Sequence, residues 1–517
     1  MSEEIELKLA VAPEHVARFK QHPILRGLRQ KRQSAKRLVS VYFDTPAFTL
    51  MRKAVALRVR KIGSARIQTI KREAAAGEQR IARREWERRI DGDQPDLSRL
   101  DDPELRRLIV PHAGRGKLKP VFVTDVTRQV WPLRVGASEI QCALDVGEIM
   151  ADGRREPVCE VELELKSGEP AKLFELARQL NATVPLRLEP ASKAARGYSL
   201  ATRTPPKPRK AEAVRLRAGM SVGEAFVAIA RGCIAHIVAN VDCAYEGKDP
   251  EGVHQLRVGI RRLRAAFAAF RDVVPQAERA ALGGELRWLQ QELGPAREWD
   301  VLSDDTLAAV AKRFASDGVA ALLRAADAQR DDAYDRARAA LNDRRTTDLL
   351  LRLEAWLDGW PERRVPSQNG SEGEFGAELS GRPIAAFASE LFEARHARVH
   401  KLGSKVQKLD QEKLHILRIR VKKLRYATEF FRDLYTDKTA RRYVAALKEL
   451  QETLGTVNDM MMAGTLISRL EAAAGPEVAR AAGQIEGWCA ARLKSERRQL
   501  VSLWQAFARL KPFWIFA

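Results

Sequence analysis

The 517 residues contain only five cysteines, at 142, 159, 233, 243 and 489, and none forms a C-x-x-C pair. That scarcity excludes a disulfide framework and a zinc knuckle, and predicts a reducing, cytoplasmic setting. Aromatic residues make up 6% of the chain. Tyr426 apart, no rings accompany the densest cations, which disfavours single-stranded nucleic acid, whose bases need stacking partners. No uninterrupted apolar run reaches the roughly 18 residues of a membrane span, so no membrane partner is expected. The opening "MSEEIELK" has no apolar h-region, so no signal peptide is expected. Neither G-x-x-x-x-G-K-[ST] nor H-E-x-x-H occurs, which excludes the P-loop and the zinc-protease helix. His396 and His400 are spaced i,i+4, but with no third ligand evident they read as an ordinary exposed pair.

Positive charge is abundant. Ninety Lys and Arg face 68 Asp and Glu, a net charge of +22. Residues 1–200 hold 38 basic and 27 acidic residues, so each part of the chain carries +11. Such an excess calls for a polyanion: nucleic acid, an acidic membrane surface or phosphate compounds. The length implies two or three domains. "RTPPKPRKAEA" at 203–213 is a stiff, solvated linker, and residues 201–219 mark the boundary. Before it, alternating runs at 4–10, 39–44, 55–62, 66–72, 84–90, 121–131, 139–145 and 158–166 predict strands. Short helices at about 13–21, 101–112 and 170–180 complete an α+β domain built on an antiparallel β-barrel over residues 1–200. After it, residues 220–512 read as an all-α domain, interrupted by a flexible loop at 363–383.

The helical half repeats itself. "DPEGVHQLRVGIRRLR" at 249–264 aligns with "DQEKLHILRIRVKKLR" at 410–425, and the same offset pairs Leu293-Gly294 with Leu454-Gly455. This predicts two duplicated helical bundles, over about 220–362 and 383–512. On a helical wheel His254, Arg257, Arg261 and Arg264 share one face, and His415, Arg418, Lys422 and Arg425 share the matching face of the second copy. Apolar stripes (Leu256, Ile260, Leu263; Leu417, Val421, Leu424) lie opposite. A solvated basic face is the ordinary reading of such a run. However, the carboxylates that would neutralise these cations at i,i+4 are missing, which predicts an external anion, with phosphate as the natural candidate. Protonated histidines would add donors. The repeated H-x-x-R-x-x-x-[RK]-[RK]-x-R signature, followed by the "LG" turn, resembles the CHAD family. That resemblance implies inorganic polyphosphate binding by these residues together with Arg262 and Lys423. The family's Arg-Asp after the turn is replaced by Arg297-Glu298 and Asn458-Asp459.

The first half segregates charge by strand. "EIELKL" places Glu4, Glu6 and Lys8 on one face, and "EVELELK" does the same for Glu160, Glu162 and Glu164. "ALRVRK" presents Arg58 and Arg60, "IQTIK" presents Lys71, and "EWERR" presents Glu85 and Glu87. Arg128, Asp145, Lys193 and Arg196 lie in further strands and in "SKAARGY". The ordinary reading is the wet face of an antiparallel sheet. Acidic and basic rows on separate strands instead predict faces that turn inward across a hydrated bore, where opposite charges meet. Carboxylates there suit Mg2+ or Mn2+, and the cations suit a phosphate chain.

"EIELKL", "YFDT" at 42–45, "LRVRK", "EVELELKSG" and "SKAARGY" occur in the order that resembles the CYTH family of triphosphate tunnel metalloenzymes. That resemblance implies a closed tunnel that uses Mg2+ or Mn2+ to hydrolyse inorganic triphosphate to pyrophosphate and phosphate. Glu4, Glu6, Glu87, Asp145, Glu160, Glu162 and Glu164 would be metal ligands, and Glu4, Glu6, Lys8 and Glu162 catalytic. Lys8, Arg58, Arg60, Lys71, Arg128, Lys193 and Arg196 would bind substrate. Two alternatives stay open: an organic triphosphate substrate (thiamine triphosphate, a nucleotide, an RNA 5′ end or ATP for cyclisation), and a non-catalytic polyphosphate-binding scaffold.

Overall fold

The computed structural model describes residues 5–30, 34–72, 85–113, 118–360, 379–473 and 476–514. The chain divides into two compact units. The first comprises Met1–Pro208 with Val238–Cys243 and Leu341–Gly359, and the second comprises Arg209–Ile237, Ala244–Ala340 and Trp360–Ala517. Two short stretches from the helical half of the sequence therefore belong to the first unit. Glu4 lies outside the described residues.

In the first unit nine strands form one antiparallel sheet: β1 (Ile5–Val11), β2 (Ser34–Asp44), β3 (Val55–Ile62), β4 (Ala65–Arg72), β5 (Glu85–Ile90), β6 (Lys119–Val135), β7 (Ser138–Ala151), β8 (Arg154–Ser167) and β9 (Leu186–Leu188). Their order is β5-β4-β3-β2-β6-β7-β8-β1-β9. The β7–β8 turn puts Asp152 and Gly153 at φ 49° and 73°, the mirror-image hairpin geometry that matches strand twist. The expected closure into a barrel is corrected. Among the described residues the sheet is open, with β5 and β9 as its ends. β9 is three residues long and bracketed by Pro185 and Pro190, which have no N–H to extend a ladder.

Period-two alternation still sends the charges to one side. On β3, Val55, Leu57 and Val59 enter a core with Leu50, Leu105 and Ile109, which leaves Arg58 and Arg60 on the other face. On β8, Val161 and Leu163 are fully buried, and the strand packs on helix α1 (Pro170–Thr183), which buries Leu173, Leu176 and Leu180. Each such leucine contributes roughly 1.5–3 kcal/mol by leaving water. Burial of the apolar face is what fixes the strand register, and with it the direction of Glu160, Glu162 and Glu164. Helix α2 (Lys193–Thr202) packs on β6, β7 and β8, with Ala194 and Tyr198 in a core beside Tyr42, Phe122 and Val158.

The second unit is built from α3 (Val222–Val238), α4 (Pro250–Ala269), α5 (Gln276–Glu292), α6 (Gly294–Val301), α7 (Asp317–Asn342), α8 (Ile384–Gly403), α9 (Gln411–Phe430), α10 (Lys438–Ala473) and α11 (Pro476–Ala508), the last residues of α3 and α7 belonging to the first unit. Asp249 caps α4 by accepting from the Glu251 N–H at 2.9 Å, and Asp410 caps α9 by accepting from the Lys413 N–H at 2.8 Å. Phe226, Phe270, Phe387, Phe392 and Phe431 form a linked aromatic core. An 18-residue stretch within Val222–Glu246 has the mean hydropathy, 1.6, of a membrane-crossing helix, yet more than half of that stretch is buried in the protein. Glu224 and Arg231 interrupt Val222–Glu246, which is why no uninterrupted apolar run is legible there. His396 and His400 are half-buried rather than exposed, with ring centroids 4.0 Å apart. His396 Nδ1 lies 2.9 Å from the Tyr443 hydroxyl, and burial followed by the His400 charge pushes His396 down to about 4.

Gly197 sets the seating of α2, because a Cβ there would lie 2.2 Å from the Phe122 ring. Gly197→Val is expected to cost about 1–3 kcal/mol through overpacking, read as a lower urea midpoint at unchanged slope.

Candidate active site

A cavity of about 210 Å³ opens on the charged face of the sheet. Glu6 and Lys8 from β1, Arg58 and Arg60 from β3, Lys71 from β4 and Glu87 from β5 line it together with Arg128, Asp145, Glu162, Glu164 and Lys193. Residues from eight strands and α2 thus meet in one place. Pairing explains the arrangement. Glu6 is registered opposite Glu164, Lys8 opposite Glu162, Arg128 opposite Asp145 and Arg58 opposite Thr69.

The acidic side is a closed ion-pair network. Arg128 donates to both oxygens of Asp145, at 2.8 and 2.7 Å, and also to Glu162. Lys193 Nζ reaches Asp145 at 2.6 Å and Glu162 at 2.9 Å, and it also binds Glu160. Asp145 and Glu160 are fully buried. Burial alone would raise the Glu162 carboxyl, but Lys193, Arg128 and Lys8 together hold it well below the usual carboxylate range. Asp145 is likewise lowered, with Lys193 and Arg128 overcoming burial. Oxygens of Asp145, Glu160 and Glu162 all lie within 4.8 Å of one another. An all-carboxylate donor set fits a hard divalent cation such as Mg2+ or Mn2+.

The basic side is less completely neutralised. Arg60 donates to Ser40 Oγ at 3.1 Å, and Arg58 donates to the Tyr42 hydroxyl at 3.4 Å while lying 3.9 Å from Glu87. Burial, followed by repulsion from Arg58, pushes Arg60 down to about 10. Two buried guanidiniums side by side favour an anion between or beside them.

Two candidate residues stand apart from the cavity. Glu160 sits behind it, tied to Lys193 and Arg196. Arg196 donates to Glu156 at 2.7 Å, Glu160 at 3.2 Å and the Pro157 carbonyl at 2.7 Å, so it clamps α2 to β8. Ser40, Tyr42, Thr124, Gln141 and Ser192 also line the cavity and escaped the sequence reading. Counting back by two from Tyr42 along β2 reaches Ser40, which was the available signal. Asp44 of "YFDT" is structural: buried, it accepts N–H bonds from Thr45 at 2.6 Å and from Leu50 and Met51, each at 2.9 Å.

In the second unit the cations of α4 and α9 act on one another. Burial, then Arg297, Arg261, Arg257 and Lys422, push His254 down to about 3, so it is a neutral ring rather than the protonated donor expected. Arg297 thus joins the cluster. Burial and the charges of Arg418 and Arg261 push Lys422 down to about 7, and burial with Arg261 repulsion takes Arg257 to about 10. Arg418 lies 4.0 Å from Asp459, and exposed His415 lies 3.1 Å from Asn458 Oδ1. Other candidates have protein partners. Buried Arg262 pairs with Glu429 at 2.5 Å and lies over the Phe430 ring. Arg425 lies 3.2 Å from Glu429, and Arg264 donates to Gln290 at 2.8 Å. Lys423 reaches the surface, and partial desolvation followed by the charges of Arg395 and Arg398 lowers it.

Comparison with known proteins matches a CYTH domain model over residues 2–198 and a CHAD domain model over residues 228–468. A Haemophilus influenzae protein named inorganic triphosphatase is 30% identical over 206 residues, which are 39% of this chain and 56% of that protein. The chain thus spans little more than half the length of that relative. The crystal structure of the CHAD domain from the plant Ricinus communis is 33% identical, covers 59% of this chain and 98% of its own, and superposes with a TM-score of 0.50. The chain belongs to the proteins that carry a CYTH domain followed by a CHAD domain.

Proposed function

We propose that the first unit hydrolyses inorganic triphosphate to pyrophosphate and phosphate with Mg2+ or Mn2+, and that the second binds inorganic polyphosphate. The observation that carries the first half is the single cavity shared by a carboxylate row and a cation row. Inorganic substrate is favoured over a nucleotide by the small cavity, about 210 Å³, and by its aromatic content. The Tyr42 ring is already stacked on Phe122, at 4.3 Å and 18°. The name of the Haemophilus relative supports the same substrate.

In this reading Arg58, Arg60, Lys71 and Arg128 take the phosphoryl oxygens. Glu6, Glu87, Asp145, Glu162 and Glu164 at the cavity, with Glu160 behind, would hold the metal, joined by Glu4. When bound, the metal would offset phosphate charge and acidify water near the attacked phosphorus. The water oxygen bonds the terminal phosphorus, the bridging P–O bond breaks, and pyrophosphate leaves. Glu162 is a poor proton acceptor because its carboxylate is so strongly stabilised, so Glu6, beside Lys8 at 3.8 Å, takes the proton.

For the second unit, cations drawn from both α4 and α9 support polyanion binding. We read the unit as a duplication. Arg257 acts with Glu298 as Arg418 acts with Asp459, and Arg297 stands to His254 as Asn458 stands to His415.

Phosphate release from tripolyphosphate with each metal tests the enzyme. Glu6→Gln is expected to lower kcat by about 10²–10⁴-fold. Equal turnover by both proteins would refute the reading, and preference for thiamine triphosphate, ATP or a 5′-triphosphate RNA would replace the substrate. Polyphosphate affinity is expected to fall as pH rises through about 7, where Lys422 loses its proton. Lys422→Arg should flatten that profile. Neutralising Arg257, Arg261, Arg418 and Lys422 should reduce the salt slope by about 0.7 per lost phosphate contact; an unchanged slope excludes this face.

A further inference from the structure

Lys193 differs from the other cavity cations in where its charge goes. Its ammonium has three N–H donors, and it contacts three carboxylates: Asp145 at 2.6 Å, Glu162 at 2.9 Å, and Glu160. These are the same carboxylates whose oxygens lie within 4.8 Å of one another. The neighbouring cations complete the balance, with Arg128 on Asp145 and Glu162 and Arg196 on Glu160. Three carboxylates therefore meet Lys193, Arg128 and Arg196, with Lys8 also acting on Glu162 and Glu156 sharing Arg196. A divalent ion drawing on the same oxygens would add two charges beside the Lys193 ammonium. Repulsion of that kind costs several kcal/mol even at a moderate effective dielectric.

Lys193 has somewhere else to go. It is the first residue of α2, next to Ser192, whose hydroxyl caps the helix by accepting from the Ala195 N–H at 3.0 Å. Both Lys193 and Ser192 line the cavity. The backbone is fixed by the Arg196 clamp and by the close seating of Gly197 on Phe122. Four rotatable side-chain bonds let the ammonium move while the helix stays in place.

We propose that Lys193 is an exchangeable counterion: it holds Asp145, Glu160 and Glu162 together in place of a divalent cation, and a bound cation displaces its ammonium toward phosphate in the cavity. This rests on the triphosphatase reading above for the identity of the anion, though the exchange itself is a property of the acidic trio. Metal and phosphate would then help each other. The metal releases a cation for the phosphate, and by linkage the phosphate tightens the metal.

The test uses the full chain and Mn2+ alone, followed by the electron paramagnetic resonance of free Mn2+ with no phosphate present. Lys193→Met is expected to bind Mn2+ about tenfold more tightly than the native chain, within the usual range for coupled sites. Glu160→Gln should weaken it in both backgrounds. In EDTA, tripolyphosphate affinity should be lowered more by Arg58→Gln than by Lys193→Met. A measurement on the native chain guards against a misfolded variant: acetylation of Lys193, read by mass spectrometry, should rise when Mn2+ is added. Equal or weaker Mn2+ binding by Lys193→Met, no Mn2+ binding by either protein, or acetylation indifferent to Mn2+ would each overturn the exchange. A native chain that shows the exchange but releases no phosphate from tripolyphosphate would retire the substrate assignment and leave the counterion role standing.

Discussion

Charge taken out of bulk water must be neutralised nearby or supplied with a ligand. The first unit is organised around that constraint. Its strands bury apolar side chains on one face, and each register so fixed commits the alternate residues to the other. The acidic and basic rows cannot each be stable alone on a shared half-buried face. They are stable as neighbours, with Arg128 and Lys193 knitting Asp145, Glu160 and Glu162 into one network. The sheet need not close for this to hold. What matters is that its curvature brings β1 and β8 to the same cavity as β3 and β4.

Much of this was legible because a strand's period is two and a helix's is 3.6. Glu6 and Lys8, Arg58 and Arg60, and Glu162 and Glu164 follow from alternation alone. Alternation cannot separate Glu160 from Glu162, since both point the same way. Only the tertiary placement of α2 puts Lys193 and Arg196 over Glu160 and withdraws it from the cavity. Closure of the sheet was equally beyond local pattern, because it depends on whether the end strands meet. A three-residue β9 between prolines gives little to meet.

The same limit appears on α4. Arg262 adjoins Arg261 in sequence, and both belong to a run that reads as uniformly cationic. The fold sends Arg262 to Glu429, 167 residues away, and sends Arg261 to the cluster around Tyr426, His254 and Lys422. Arg297 was noticed only as the neighbour of Glu298, where the chain departs from a motif, yet it acts on His254 more strongly than the helix's own arginines do. Protonation was the other failure. A histidine among arginines and shielded from water is neutral, whatever its ordinary range.

The two units answer one electrostatic problem in opposite ways, and the difference bears on what each can do. In the first, every strongly basic group near the acidic trio has a carboxylate partner. An anion there must compete with carboxylates unless a divalent cation changes the balance, and a site so poised can couple binding to chemistry. In the second, burial and the charges of Arg257, Arg261, Arg297, Arg418 and Lys422 bear on His254 and on one another, with Glu298 offsetting part of this at Arg257 and Asp459 outweighing Arg261 at Arg418. Burial first, and then neighbouring positive charge, depresses the proton affinities of His254, Arg257, Arg418 and Lys422, and in the proposed reading a chain of phosphates would offset that charge without a metal and without any bond being broken. In the proposed reading, catalysis goes with the interleaved charges of the sheet, and retention of a polyanion with the concentrated positive charge of the helices.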